Sequence, residues 1–235
     1  MEKSIKNKMN NLLFLCSGGG GSLRFIYKLW ENKLFKEISN INVICDRECG
    51  ASEWCKKNGI NYKILEIKGN NQKDLLNESL SRNPKIIITN IFKILKTDYV
   101  ENFKGRCINT HWSLLPSFSG LIGEQSIKAA LEYKEKIIGS TVHYVSKEVD
   151  KGEPIAQVAF SVDENKELNF HIDAMFRGCS IALFISLKKL LSEKSNFCDN
   201  GIIKIKNIDY MLNPYSEIPA ILNNEDFWGE IKNWQ

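Results

Sequence analysis

Asn11-Leu-Leu-Phe-Leu-Cys-Ser-Gly-Gly-Gly-Gly-Ser22 is the stretch that decides the fold. Residues 11–16, unbroken apolar from Leu12 on and bounded by glycine, read as a strand buried on both faces. Leu23, Ile26, Tyr27, Trp30 and Leu34 then recur at helical spacing, so residues 23–35 read as a helix, with Ser22 placed to cap it. A strand, a glycine loop and a helix start together point free backbone N–H groups at an anion. Ser17, Gly18, Gly19, Gly20, Gly21 and Ser22 are therefore candidate anion ligands; the alternative is a glycine turn that serves packing alone. A dinucleotide fingerprint begun at Gly18 would need its third glycine where Leu23 stands, and no Gly-Lys-Ser/Thr follows to make a nucleotide-triphosphate loop. Asp46, after a strand over 41–45, stands where a ribose-binding acid would, with no second feature beside it.

Outward from this start the pattern keeps alternating. Helices are expected over 50–58, 72–82 and 97–103, and strands over 62–65, 85–90 and up to Asn109. Repeated β-α-β units imply a parallel sheet with helices on both faces. A helix over 124–133 follows, then strands over 139–145 and 155–162 that alternate like an antiparallel edge pair, then a long helix over 167–193. A turn over 196–201, a strand over 202–205 and an aromatic tail complete the chain. The organisation expected is a tail over 1–10, one domain over 11–200 and an extension over 201–235, which suits 235 residues.

Composition excludes several classes. The net charge of +4 is spread along the chain, so nucleic-acid binding is not expected. Seven cysteines are an odd number at low density, which argues against a disulfide framework and for a reducing cytoplasm. Cys16 and Cys107 fall in strands as small core residues, whereas Cys45, Cys49 and Cys55 lack a fourth ligand at finger-like spacing, so no metal is expected. The first residues are polar and basic with no signal sequence, and no apolar run is expected to reach membrane-span length.

Candidate chemistry lies in Cys107-Ile-Asn-Thr-His-Trp-Ser-Leu-Leu-Pro-Ser-Phe-Ser-Gly120. Asn109 and His111 are two apart on a strand, so their side chains share a face. Asp150 ends the later β-rich run Gly139-Ser-Thr-Val-His-Tyr-Val-Ser-Lys-Glu-Val-Asp150 in a polar turn. An amide, an imidazole and a carboxylate on neighbouring strand ends supply a donor, a titratable group and its orienter.

Asn-x-His-x-Ser-Leu-Leu-Pro followed by Val-Asp-x-Gly-x-Pro-Ile resembles the signature of folate-dependent formyltransferases, nearest to the glycinamide ribonucleotide transformylases, over roughly residues 11–195. The resemblance implies a Rossmann-like, mostly parallel sheet with antiparallel edge strands, a long C-terminal helix and a short C-terminal extension. It implies 10-formyltetrahydrofolate as cosubstrate, held by Phe92, Lys93, Ile94, Leu95, Val145 and Ser146, and an acceptor phosphate at the glycine loop. Asn109, His111 and Asp150 would be catalytic, with His143 behind them. The implied partner is a small phosphorylated amine, glycinamide ribonucleotide or an amino-sugar nucleotide; a homodimer is the one assembly carried forward. A formyltetrahydrofolate hydrolase and a non-catalytic folate- or nucleotide-binding module are the alternatives. The hydrolase's regulatory domain has no counterpart in the short tail, and a binding module has no use for the polar trio. Trp112 replaces the family's proline, Leu121-Ile-Gly-Glu-Gln125 replaces a histidine-bearing run, and Cys179 stands near a ribose-binding glutamate position. These departures leave the transfer machinery in place and put the purine acceptor in question.

Overall fold

The computed structural model describes residues 10–67, 72–192 and 197–232. Most of the expected tail and part of the expected 196–201 turn lie outside them.

Among the described residues, nine strands form one sheet. β1 (Asn10–Cys16), β2 (Ile38–Cys45), β3 (Tyr62–Ile64), β4 (Ile86–Asn90) and β5 (Cys107–His111) are parallel, in the order β3-β2-β1-β4-β5. β6 (Ile137–Tyr144), β7 (Pro154–Ser161), β9 (Ile208–Asn213) and β8 (Gly201–Ile205) extend it antiparallel beyond β5. β1 shows why its sequence is continuously apolar. Leu12, Phe14 and Cys16 enter one core while Leu13 and Leu15 enter the other, so both faces are covered.

The larger core lies under α1 (Gly21–Glu31), α2 (Gly50–Lys57), α5 (Glu124–Glu132), α6 (Leu168–Leu191) and α7 (Glu225–Lys232). The smaller is closed by α3 (Lys73–Ser81) and α4 (Thr97–Asn102), through Leu75, Tyr99 and Val100. α6 is buried on nearly every side, from Ala174 to Leu187. By length and composition it could cross a membrane, which corrects the expectation that no apolar run reaches that size. Most of that apolar stretch is buried inside the domain, where sheet and helices supply the apolar surroundings.

Two local expectations change. α1 starts at Gly21, and Gly20, at φ +72°, occupies the capping position, so Ser22 is a helical residue and not the cap. Only a residue without Cβ enters that left-handed conformation freely, and a Cβ there would lie 2.9 Å from that of Ala51. The tail beyond 205 is more ordered than its sequence reading. Ile208, Tyr210 and Leu212 alternate inward along β9, and Phe227, Trp228 and Ile231 bury one face of α7.

Candidate active site

The C-terminal ends of β1, β4 and β5 open into one cavity of about 810 Å³. Ligands in open α/β sheets bind at such strand ends, beside the point where strand order reverses. Here β1 lies between β2 and β4.

At the β5 end, Asn109 and His111 project side by side, and β6 runs antiparallel beside them with Asn109 opposite His143 and His111 opposite Thr141. Asp150 follows in a left-handed turn at φ +54°. Its Oδ2 accepts the Gly120 N–H at 2.8 Å and lies 3.4 Å from His111 Nδ1, while Oδ1 lies 3.7 Å from His143 Nε2. His111 Nε2 is 3.2 Å from the Phe118 carbonyl, and His143 Nδ1 is 2.9 Å from the Tyr144 carbonyl. A carbonyl only accepts, so those two nitrogens carry hydrogens. Burial pushes the His143 imidazole below its ordinary value, against the Tyr144 carbonyl and Asp150, which raise it. A neutral His143 then turns a bare Nε2, buried and without a hydrogen-bond partner, toward Asp150. The loop beyond His111 is pinned by Thr141, whose hydroxyl donates to the Ser113 carbonyl at 2.8 Å and accepts the Leu115 N–H at 3.0 Å.

At the β1 end, the wall is main chain. Gly18 and Gly19 carry no side chain into the cavity, and a Cβ added at Gly19 would meet nothing within 4 Å. Ser17 stands behind this wall, where its hydroxyl accepts the Phe92 N–H at 2.9 Å and ties the glycine loop to the loop after β4. Ser22 accepts from Asn90 Nδ2 at 3.1 Å. Asp46 is buried, held by Arg47 through two contacts of 2.9–3.0 Å, and its N–H donates to the Cys16 carbonyl at 3.1 Å, so it sits behind the start of the loop.

Phe92, Lys93, Ile94 and Leu95 line the same cavity from the loop after β4, and Val145 and Ser146 from the loop after β6. Phe92 and Ile94 are exposed at its mouth while Leu95 is anchored in the smaller core. Gln72 braces the first loop by donating to the Ile94 carbonyl at 2.9 Å and accepting the Lys96 N–H at 3.0 Å. Apart from Ser17, all three residue sets expected from the sequence therefore border one space. Among the described residues, no group of three or more His, Cys, Asp and Glu is arranged to hold a metal.

Comparison with known proteins adds the family. The formyl transferase family model matches residues 10–174, which is most of the chain. The chain belongs to the formyl transferase family.

Within this family, its sequence is 28% identical over 185 residues to the phosphoribosylglycinamide formyltransferase of Mycobacterium tuberculosis, covering 75% of this chain and 84% of that protein. It is also 28% identical over 171 residues to the chloroplastic phosphoribosylglycinamide formyltransferase of Arabidopsis thaliana, covering 69% of this chain but 59% of that longer protein. A shorter stretch of 93 residues, 40% of this chain and 31% of the relative, is 33% identical to the formyltetrahydrofolate deformylase of Haemophilus influenzae. The solved phosphoribosylglycinamide formyltransferase of Anaplasma phagocytophilum shares the fold, with a TM-score of 0.70 over 82% of this chain and 92% of that one at 24% identity.

Some residues of this formyl transferase's site escape the motif. The Phe118 carbonyl and Gly120 N–H engage the His111–Asp150 pair through main chain, and only the Ser-Phe-Ser-Gly turn composition hints at them. Arg24 left a plainer signal, as a charged residue among the buried Leu23, Phe25 and Ile26 of α1.

Proposed function

We propose that this formyl transferase moves the formyl group of 10-formyltetrahydrofolate to the primary amine of a phosphorylated small molecule. The observation that carries the reading is one cavity with the polar trio at one end and a side-chain-free main-chain cradle at the other. The neutral amine attacks the formyl carbon, forming the new C–N bond and placing negative charge on the formyl oxygen. Asn109 donates to that oxygen, and His111 donates to it by exchanging the Phe118 carbonyl for the substrate. Asp150 fixes the imidazole and takes the amine proton, which passes to the folate nitrogen as the old C–N bond breaks. The acceptor phosphate rests on the main chain at 18–22, with α1's positive end behind it. Phe92–Leu95 and Val145–Ser146 border the folate.

The reading extends to residues 11–200 as the catalytic domain with 201–235 as its extension. It describes a cytoplasmic enzyme that works as monomer or homodimer without nucleic acid or membrane. Glycinamide ribonucleotide and amino-sugar nucleotides are the acceptors it admits. The stretch shared with a deformylase makes hydrolysis the second reading, with water in place of the amine. Purified protein given 10-formyltetrahydrofolate distinguishes the two. Transfer gives a formylated amine only when a phosphorylated amine is present; free formate released at the same rate without any amine overturns the transferase.

A further inference from the structure

α7 lies beyond residues 10–174, the part that the family match covers, yet it reaches the glycine-loop end of the cavity by two routes. The first is Arg24. Its side chain is buried, its Nε donates to the Ile231 carbonyl of α7 at 2.7 Å, and its Nη1 donates to the Gly19 carbonyl. Burial lowers the guanidinium only to about 10, so a full positive charge sits under the glycine loop at neutral pH. The second route is Phe176 of α6. Its ring lies over Gly21, where a Cβ would approach it to 2.7 Å, and it lines the cavity. Behind that ring stands Trp228 of α7, edge-on at 6.2 Å, with Lys232 5.7 Å from the ring centre. Trp228 in turn stacks on Phe25 at 5.6 Å and lies under the buried Arg177, which pairs with Glu225 at 2.7–2.8 Å.

The wall that α6 gives the cavity is thus carbon and sulfur. Phe176 stands at the glycine-loop end; Cys179, one turn on, contacts Thr110 and Trp112 at the β5 end. The one carboxylate on α6, Asp173, is committed to Arg177, Lys206 and Lys232. A linker that runs from the glycine loop to Asn109 and His111 borders this wall on its α6 side. A ribose laid against Phe176 would turn hydroxyls onto a ring that does not accept them as water does, at a desolvation cost. The C–H face of a pyranose meets an aromatic ring without that cost.

Resting on the formyl-transfer reading above, we propose that α7 is a positioning element of the acceptor site, acting through Arg24 and Phe176, and that the acceptor is an amino sugar carried on phosphate. The test pairs acceptor choice with two variants of the full-length protein. Glycinamide ribonucleotide is compared with sugar nucleotides bearing a free amine on carbon 2, 3 or 4. At least one sugar nucleotide should exceed the ribonucleotide in kcat/KM by about tenfold or more. Trp228→Ala and the milder Phe176→Leu should each raise the KM for that sugar by about tenfold while the KM for 10-formyltetrahydrofolate stays within about twofold. Phe176→Leu keeps a half-buried apolar side chain, so it answers even where Trp228→Ala fails to fold. A ribonucleotide that outperforms every amino sugar overturns the inference and leaves formyl transfer standing. Equal KM changes for both substrates, or none in Phe176→Leu, overturn it too. Formylation of no acceptor brings down the transferase reading and this inference with it.

Discussion

The two ends of the cavity are built from different materials. At the β5 end the working groups are side chains, and each is held by another: His111 by Asp150, Asp150 by the Gly120 N–H, the following loop by Thr141. At the β1 end, on the reading proposed above, the working groups are peptide N–H bonds; Arg24 and Ser17 brace the loop from behind, and the Phe176 ring covers one side of it. Side-chain machinery can be removed one atom at a time with the backbone left in place. Main-chain machinery can be altered only by moving the chain, so binding and stability change together there.

The largest expected effect tests the first half of that contrast. Asn109→Ala and His111→Ala should each lower kcat by about 10²–10³, the usual loss of an oxyanion donor, with folate affinity and melting temperature nearly unchanged. Near-normal turnover in either purified variant removes that residue from the chemistry. Asp150→Asn is next. Asparagine accepts the φ +54° turn as aspartate does, so the exchange isolates the charge. We expect a fall of about 10² in kcat, in the range for a lost acid–base group, and a fall of less than threefold would break the assignment.

Gly20→Val probes the other end. A left-handed valine costs roughly 1–2 kcal/mol, and its Cβ collides with that of Ala51, so the melting temperature should drop. Displaced N–H donors are worth about 1.5–3 kcal/mol each to a phosphate, so acceptor KM should rise about tenfold or more with folate binding intact. A stability loss with no KM change would mean that these glycines serve packing alone. The smallest effect concerns pH. Burial lowers the folded-state value of His143, so the unfolded chain binds the extra proton first as pH falls below the ordinary histidine value. Stability contributed by neutral His143 is present above that value and is lost as pH falls through the lower folded one. Melting curves between pH 7.5 and 5, roughly spanning histidine titration, should slope downward toward acid in the wild type and less steeply in His143→Asn. Parallel slopes would contradict a buried, neutral imidazole.

How much was legible follows the same division. Asn109, His111 and Asp150 carry their chemistry in their names, and period-two spacing puts the first two on one face, so the sequence pointed to them directly. The glycine run pointed to a main-chain cradle, but the start of α1 was misplaced because a serine before an apolar helix reads as a cap, whereas Gly20's backbone freedom set the boundary. The parallel half of the sheet was readable from alternating strands and helices. The edge was not. In β9 the inward Ile208, Tyr210 and Leu212 alternate with Asp209, Met211 and Asn213, and tertiary contacts with β7 and β8 settle what that short segment forms. Likewise nothing local in Phe227-Trp-Gly-Glu-Ile231 says that its ring will stand behind Phe176; that contact joins residues far apart in the chain.

The long buried helix sets a limit on how this chain can be shortened. The family match stops at residue 174, inside α6, although structurally the helix runs on to Leu191. A Cβ at Gly178 of that helix would lie 3.4 Å from Tyr210 and Val158, and Phe184 packs against Phe35 with ring centres 5.2 Å apart. A gene fragment trimmed at the homology boundary would therefore encode a sheet without its central lid, and one trimmed at residue 200 would bare an apolar helix face and the open flank of β7. The smallest unit to clone that keeps these contacts is the chain through α7.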